Sequence, residues 1–189
     1  MQLRALALAF LLAKPLGTFA CDTAAGVVAY SEVEGQVLIL IADHKINAKR
    51  GWAAFGGCID PGETVEKAAL REFHEETRCT FPRELMITKN NTRVEIGKFT
   101  SFALRVPHVD AQQISATPST MLCSGVTANE RGPWAWIPLD QLLNLFAQDV
   151  SVNIPFSDNM MRNAKHRWFW FKSARVIKLL AKQGAFHAN

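Results

Sequence analysis

Three glutamates fall close together in REFHEET, residues 71–77: Glu72, Glu75 and Glu76. In a helix each residue turns by about 100°, so the spacing i, i+3, i+4 places them within roughly a 100° arc on adjacent turns. Like charges at that spacing each cost a few tenths of a kcal/mol in an isolated helix, and a cation among them reverses the sign. Hard divalent cations such as Mg²⁺ or Mn²⁺ take oxygen ligands, and Mg²⁺ usually accepts one or two carboxylates while phosphates and waters complete its shell. Held there, such an ion neutralises phosphate oxygens and lowers the pKa of a bound water for attack on phosphorus. Three glutamates alone more often mark a solvated helix face. Their surroundings decide between the two readings.

Reading upstream, Gly57 is followed by five residues and Glu63, then seven residues and Arg71-Glu72, apolar Phe73, His74, and Glu75-Glu76. This pattern resembles the Nudix hydrolase box, G-x5-E-x7-R-E-U-x-E-E-x-G-U with U a bulky apolar residue, running here from Gly57 to Cys79. It departs where Arg78 stands in place of the second glycine. A residue with a Cβ at a helix end costs about 1 kcal/mol in left-handed strain, or it shifts the cap. The resemblance extends to WAAFGG at 52–57 and to WIPLDQLL at 136–143, and covers about residues 24–147. Glu130, six residues before Trp136, sits where some family members carry a further metal-binding or base glutamate.

The resemblance implies an α+β fold of Nudix type, an α/β/α sandwich on a mixed central sheet. It also implies metal-dependent hydrolysis of a diphosphate linkage in a small nucleoside-diphosphate-X type substrate, with Mg²⁺ or Mn²⁺ as cofactor. Under it Glu72, Glu75 and Glu76 are metal ligands, and Glu72, Glu76 and Glu130 are the candidate catalytic groups. Glu63 and Arg71 brace the loop and helix, while Gly57 lets the backbone turn closely. His74 occupies the variable box position and is expected at the surface. The competing reading is a binding module of the same fold, or a membrane-associated one, without turnover.

The elements that must position these residues are legible in part. AAGVVAYSEVEGQVLILIADH reads as two strands joined at Glu34-Gly35, and KINAKRGWAAFGGCIDPGE as loops around a short strand. Thr64 is a good N-cap for a helix over about 65–77, with Leu70 and Phe73 toward the core. Residues 90–106 read as further strand broken at Gly97, and 107–128, lacking a period, as loop. A strand over 134–137, a helix over about 139–147 after Pro138, and a last helix over about 158–182 complete the chain.

Nothing in the 189 residues, 49% hydrophobic and 20% charged, suggests a linker, repeat or second domain. Residues 1–20 read as a secretory signal peptide: Arg4, an apolar run from Ala5 to Ala13 too short to span a bilayer, then small residues up to Ala20. A single domain over 21–189 would then be exported to the periplasm or secreted. The competing reading is a buried first element of a cytoplasmic protein. A lipid-anchored Cys21 would want an aliphatic residue where Thr18 stands. Export would place Cys21, Cys58, Cys79 and Cys123 in an oxidising compartment, and four cysteines allow three pairings. Cys58 and Cys79 flank the glutamate helix and form the first candidate pair.

The net charge of +4 falls to about +2 without Arg4 and Lys14. The glutamates would repel a nucleic-acid backbone, so no stable nucleic-acid partner is expected. Trp52, Phe55 and Trp134 are candidates to stack on a nucleobase, against the commoner reading of core aromatics. The basic, aromatic stretch KHRWFWFKSARVIKLLAK either lies on an anionic membrane surface or packs Trp168, Phe171, Val176 and Leu180 on the sheet with its lysines in water. The spacing favours packing.

Overall fold

The computed structural model describes residues 21–45, 50–82, 84–118, 130–148 and 164–186. Within them the expected first hairpin forms. Strand β1 (Ala24–Val33) pairs antiparallel with β2 (Gln36–His44) across Glu34 and Gly35, whose φ values are 51° and 77°. Positive φ at both central residues matches the right-handed twist of the flanking strands, and Gly35 adopts it without a Cβ penalty. The strand expected over 90–106 is also broken at Gly97, giving β5 (Arg93–Ile96) and β6 (Phe99–Arg105).

β1 and β2 are long enough to serve several partners. β1 pairs with short β4 (Phe55–Cys58) as well as β2 on one side, and runs parallel to β6 on the other. β2 pairs with short β3 (Trp52–Ala53) and with β7 (Arg131–Pro138). The result is a mixed sheet whose two faces are both covered, the α/β/α sandwich expected. Period-2 alternation divides the strand residues between two cores. Val28, Ile39, Ile41 and Ile137 face helices α3 (Leu139–Ala147) and α4 (Phe171–Lys182). Val27, Ala29, Leu40 and Ala42 face helices α1 (Val65–Glu76) and α2 (Ala111–Ala116).

Helix α1 starts where its cap predicts: the Thr64 hydroxyl accepts from the Lys67 N–H. Phe73 is wholly buried against Phe55 and Phe81, at ring separations of 5.3 and 5.0 Å. Burying such a ring stabilises by about 1.5–3 kcal/mol, which outweighs the few tenths lost to crowding of the glutamates. At its far end the helix closes with the Cys79 N–H on His74 O (2.8 Å) and the Arg78 N–H on Glu75 O (3.2 Å). That is a Schellman cap, with Arg78 at φ 54° in the glycine position. The cap has not shifted; the strain is carried. In return the Arg78 guanidinium donates to Ser115 O and Thr117 O, each at 2.8 Å, and stacks 4.8 Å over Trp134. It thereby ties down α2, a helix absent from the sequence reading because six residues with a single buried contact, Ile114, show no period. Arg78→Ala should therefore cost about 2 kcal/mol, since bonds from a charged donor are lost. Arg78→Gly should cost about 1 kcal/mol less than that, because the strain goes too. Urea unfolding of the two variants reads the difference directly.

Two other expectations are corrected. Cys58 is bonded to Cys21, with Cα atoms 5.3 Å apart, and not to Cys79, which is bonded elsewhere. β4 pairs Cys58 opposite Ala24 and so brings it to the start of β1, a long-range pairing that sequence proximity to the helix could not reveal. The bond also occupies the sulfur that a lipid anchor on Cys21 would need. The last helix begins at Phe171 rather than near residue 158. Residues 164–170 instead form an extended strap on the β3 edge: Trp52 N–H donates to Trp168 O (2.9 Å) and Trp170 N–H to Trp52 O (2.8 Å). Buried Asp43 clasps the strap, accepting from the Lys165 and His166 backbone N–H groups and from His166 Nδ1 at 2.8 Å. Val176 and Leu180 pack as expected, but Trp168 and Phe171 remain 39% and 59% exposed. The stretch expected to be a signal peptide, residues 1–20, and residues 119–129 with Cys123 and 158–163 lie outside the described residues. No helix among those described is long and apolar enough to cross a membrane.

Candidate active site

Strand β4 lays Gly56 and Gly57 beside the middle of α1. A Cβ on Gly57 would collide with the Glu72 carboxylate, so this glycine is what allows the helix and its acid to approach the strand. Arg71 organises the surrounding carboxylates. It grips Glu63 through Nε (3.1 Å) and Nη2 (3.0 Å), and donates to Cys58 O at 2.8 Å. Through Nη1 it reaches Glu72 Oε1 at 2.8 Å and Glu75 Oε2 at 3.3 Å. Glu63 in turn accepts from the Asp60 N–H at 3.2 Å. The loop after β4 and the acidic face of α1 are thus fixed around one guanidinium.

Glu76 has a different setting. It is buried and forms an ion pair with buried Arg131, Nε to Oε1 at 3.1 Å, while its Oε2 accepts the Gly56 N–H at 2.9 Å. Arg131 also donates to Ala54 O. Nothing in the local sequence marks Arg131: it follows Glu130 directly, but only the β2–β7 pairing carries it over α1.

Glu72, Glu75, Glu76 and Glu130 line one cavity of about 280 Å³ together with Asp60, Gly56 and Gly57. Burial raises the pKa of Glu72 and of Glu75, and in both Arg71 offsets part of the effect. Burial pushes Glu76 up to about 7 against the opposing pull of Arg131 and the Gly56 N–H. Burial also works to raise Glu63, but there the hydrogen bonds and charge of Arg71 win and the net shift is downward. An acidic face whose carboxyls are raised gains from an added cation, because the charged forms it favours are the ones desolvation penalises. His44, at the cavity edge, is pushed down to about 3 by burial and by Arg131, Arg50 and His166, so it is neutral.

Among the described residues no three His, Cys, Asp or Glu side chains form a ready metal-holding group. The donor set nonetheless fits a hard cation that asks for few protein ligands. Among the described residues Glu75 Oε1 is buried without a hydrogen-bond partner, and Glu72 lies beside it on the same cavity wall. Both oxygens of Glu76 are engaged by Arg131 and Gly56.

The stacking candidates do not face this cavity. Trp52 is fully buried, its Nε1–H bonded to His166 O at 2.9 Å, and buried Trp134 donates to Glu76 O at 3.0 Å. Both are core residues because the strap and α1 cover them. Phe55, 2% exposed, packs on Phe73 and forms only the inner wall of a second, larger cavity. The aromatic rings at the rim of that cavity are Phe99, Trp170 and Phe171.

The NUDIX domain profile matches residues 22–160, most of the chain. With the sheet, the helix and the box residues in these positions, the chain belongs to the Nudix family. Similar solved structures include an Ap4A hydrolase of C. elegans in a binary complex, 18% identical over 86% of this chain and 97% of that one, TM-score 0.47. The NUDIX domain of Shewanella oneidensis NrtR, solved with ADP ribose, is 19% identical over 91% and 94%, TM-score 0.47. The E. coli ORF135 protein is 18% identical over 90% and 97%, TM-score 0.40. No curated protein matches the chain significantly.

Proposed function

We propose that this protein hydrolyses a diphosphate linkage in a small nucleoside-diphosphate-X type substrate with the help of Mg²⁺ or Mn²⁺. The observation that carries the reading is the convergence of Glu72, Glu75 and Glu130 on one cavity, with a Glu75 oxygen buried and unpartnered. Glu72 and Glu75 would hold the cation, which supplies charge neutralisation at phosphate oxygens and a water of lowered pKa. Arg71 orients both carboxylates from behind, anchored by Glu63 and Cys58 O. Glu130, exposed at the cavity rim, would accept the proton of an attacking water. Glu76 acts by position: pinned by Arg131 and the Gly56 N–H, it fixes the last turn of α1 against β4. The Cys21–Cys58 bond supports export to an oxidising compartment.

Product release from a panel of nucleoside-diphosphate derivatives, with Mg²⁺, Mn²⁺ or EDTA, tests the reading on protein beginning at Cys21. Cleavage that requires the metal is expected for at least one member. Folded protein that binds Mn²⁺ yet cleaves none would point instead to a binding module.

A further inference from the structure

The larger cavity, about 440 Å³, opens beside the acidic one, and Cys21, His44, Arg50, Gly56 and Gly57 line both. A ligand spanning the two would pass over β4. Their charges are opposite. Among the described residues, the wall of the larger cavity has Arg50, Lys98, Arg131, Lys172 and Arg175 and no carboxylate. Only Arg131 of these is in an ion pair among the described residues. Two polar groups there also lack partners: His44 Nδ1 and Arg131 Nη1 are buried with no hydrogen bond, in residues only 6% and 2% exposed. Because Arg50 Nη1 can only donate, its 3.3 Å contact with His44 Nε2 leaves the proton of the neutral ring on Nδ1. The end of the strap and the first turns of α4 form one side of the wall, and Arg50 and Lys172 sit 4.8 and 5.8 Å over Trp170.

A cation bound at Glu72 and Glu75 would already answer the charge of a diphosphate linkage. A neutral nucleoside or sugar in the larger cavity would leave Arg50, Lys98, Lys172 and Arg175 facing no counter-charge among the described residues. We propose that the arm of the substrate seated there carries a phosphate of its own, beyond the scissile diphosphate, held by Lys172, Arg175, Lys98 and Arg50 while its ring rests against Trp170 and Phe171. A phosphomonoester adds about −1.5 to −2 charge at neutral pH and three acceptor oxygens. This names the substrate class within the hydrolytic reading and rests on that reading for turnover, though not for binding.

The test uses diphosphates that differ by one phosphomonoester, such as NADH against NADPH or dephospho-coenzyme A against coenzyme A. Binding is followed by quenching of tryptophan fluorescence in EDTA, and cleavage by product release with Mn²⁺. The phosphorylated member of each pair should bind about 10- to 100-fold more tightly, as expected for one or two charge-assisted hydrogen bonds. In the Lys172→Gln/Arg175→Gln variant, both positions being exposed on the first turns of α4, that ratio should fall toward one. Circular dichroism checks that the variant is folded. Equal binding of both members by the wild type, or a ratio untouched by the double substitution, overturns the proposal. Preferential binding without cleavage of either member keeps it and overturns the hydrolase instead; cleavage without preference does the reverse.

Discussion

Arg131→Met is expected to lower the unfolding free energy by about 3–5 kcal/mol at pH 8, the range for removing one partner of a buried ion pair. Arg131 and Glu76 are 2% and 6% exposed, so neither charge has water to fall back on. The substitution also removes the bond to Ala54 O and the guanidinium 5.6 Å from the Phe55 ring. The deficit should depend on pH with a definite sign. The carboxyl of Glu76 is already pushed up to about 7 by burial, with Arg131 pulling it down. Without Arg131 it rises further. A folded-state pKa above the unfolded value means that the folded form holds its proton more tightly. Relative to wild type, the variant should therefore recover stability as pH falls from 8 toward 5.5, where a neutral Glu76 can be buried at lower cost. Pairing the change with Glu76→Leu should restore most of the loss at pH 8, because two apolar groups replace the ion pair. Urea unfolding at both pH values reads all three quantities. A loss below about 1 kcal/mol at pH 8 would show that the pair is not desolvated as the structure has it.

Glu75→Gln should lower kcat by roughly 10³-fold, the equivalent of about 4 kcal/mol of lost transition-state stabilisation, while leaving the fold intact. Glutamine keeps the shape and an oxygen, but loses the charge that a hard cation needs. Stability should hold because Arg71 remains bonded to Glu63, Glu72 and Cys58 O. Glu75 is preferable to Glu76 for this test: Glu76→Gln would strand Arg131 in the core and mix unfolding with lost chemistry. Initial rates at saturating Mn²⁺, alongside the unfolding midpoint, separate the two effects. Full activity in a folded Glu75→Gln protein would remove Glu75 from the site.

The amino-acid sequence by itself determined the local pieces that rest on short-range physics. Thr64 capped α1, Glu34-Gly35 turned the first hairpin, Gly97 broke the second, and Pro138 opened α3, because cap, turn and φ preferences act within a few residues. The box from Gly57 to Cys79 was legible through its resemblance to that of the Nudix family, while helical spacing alone put Glu72, Glu75 and Glu76 on one face. What only the tertiary structure decided depends on residues far apart in the chain. The pairing of Cys58 with Cys21 follows from β4 lying on β1. The burial of Trp52 follows from a strap more than a hundred residues later, held by Asp43. Arg131 reaches Glu76 only because β7 pairs with β2. Burial then sets the chemistry: the same glutamate side chain is an open cavity-rim group at 130 and a clamped, desolvated one at 76, and no local pattern distinguishes them.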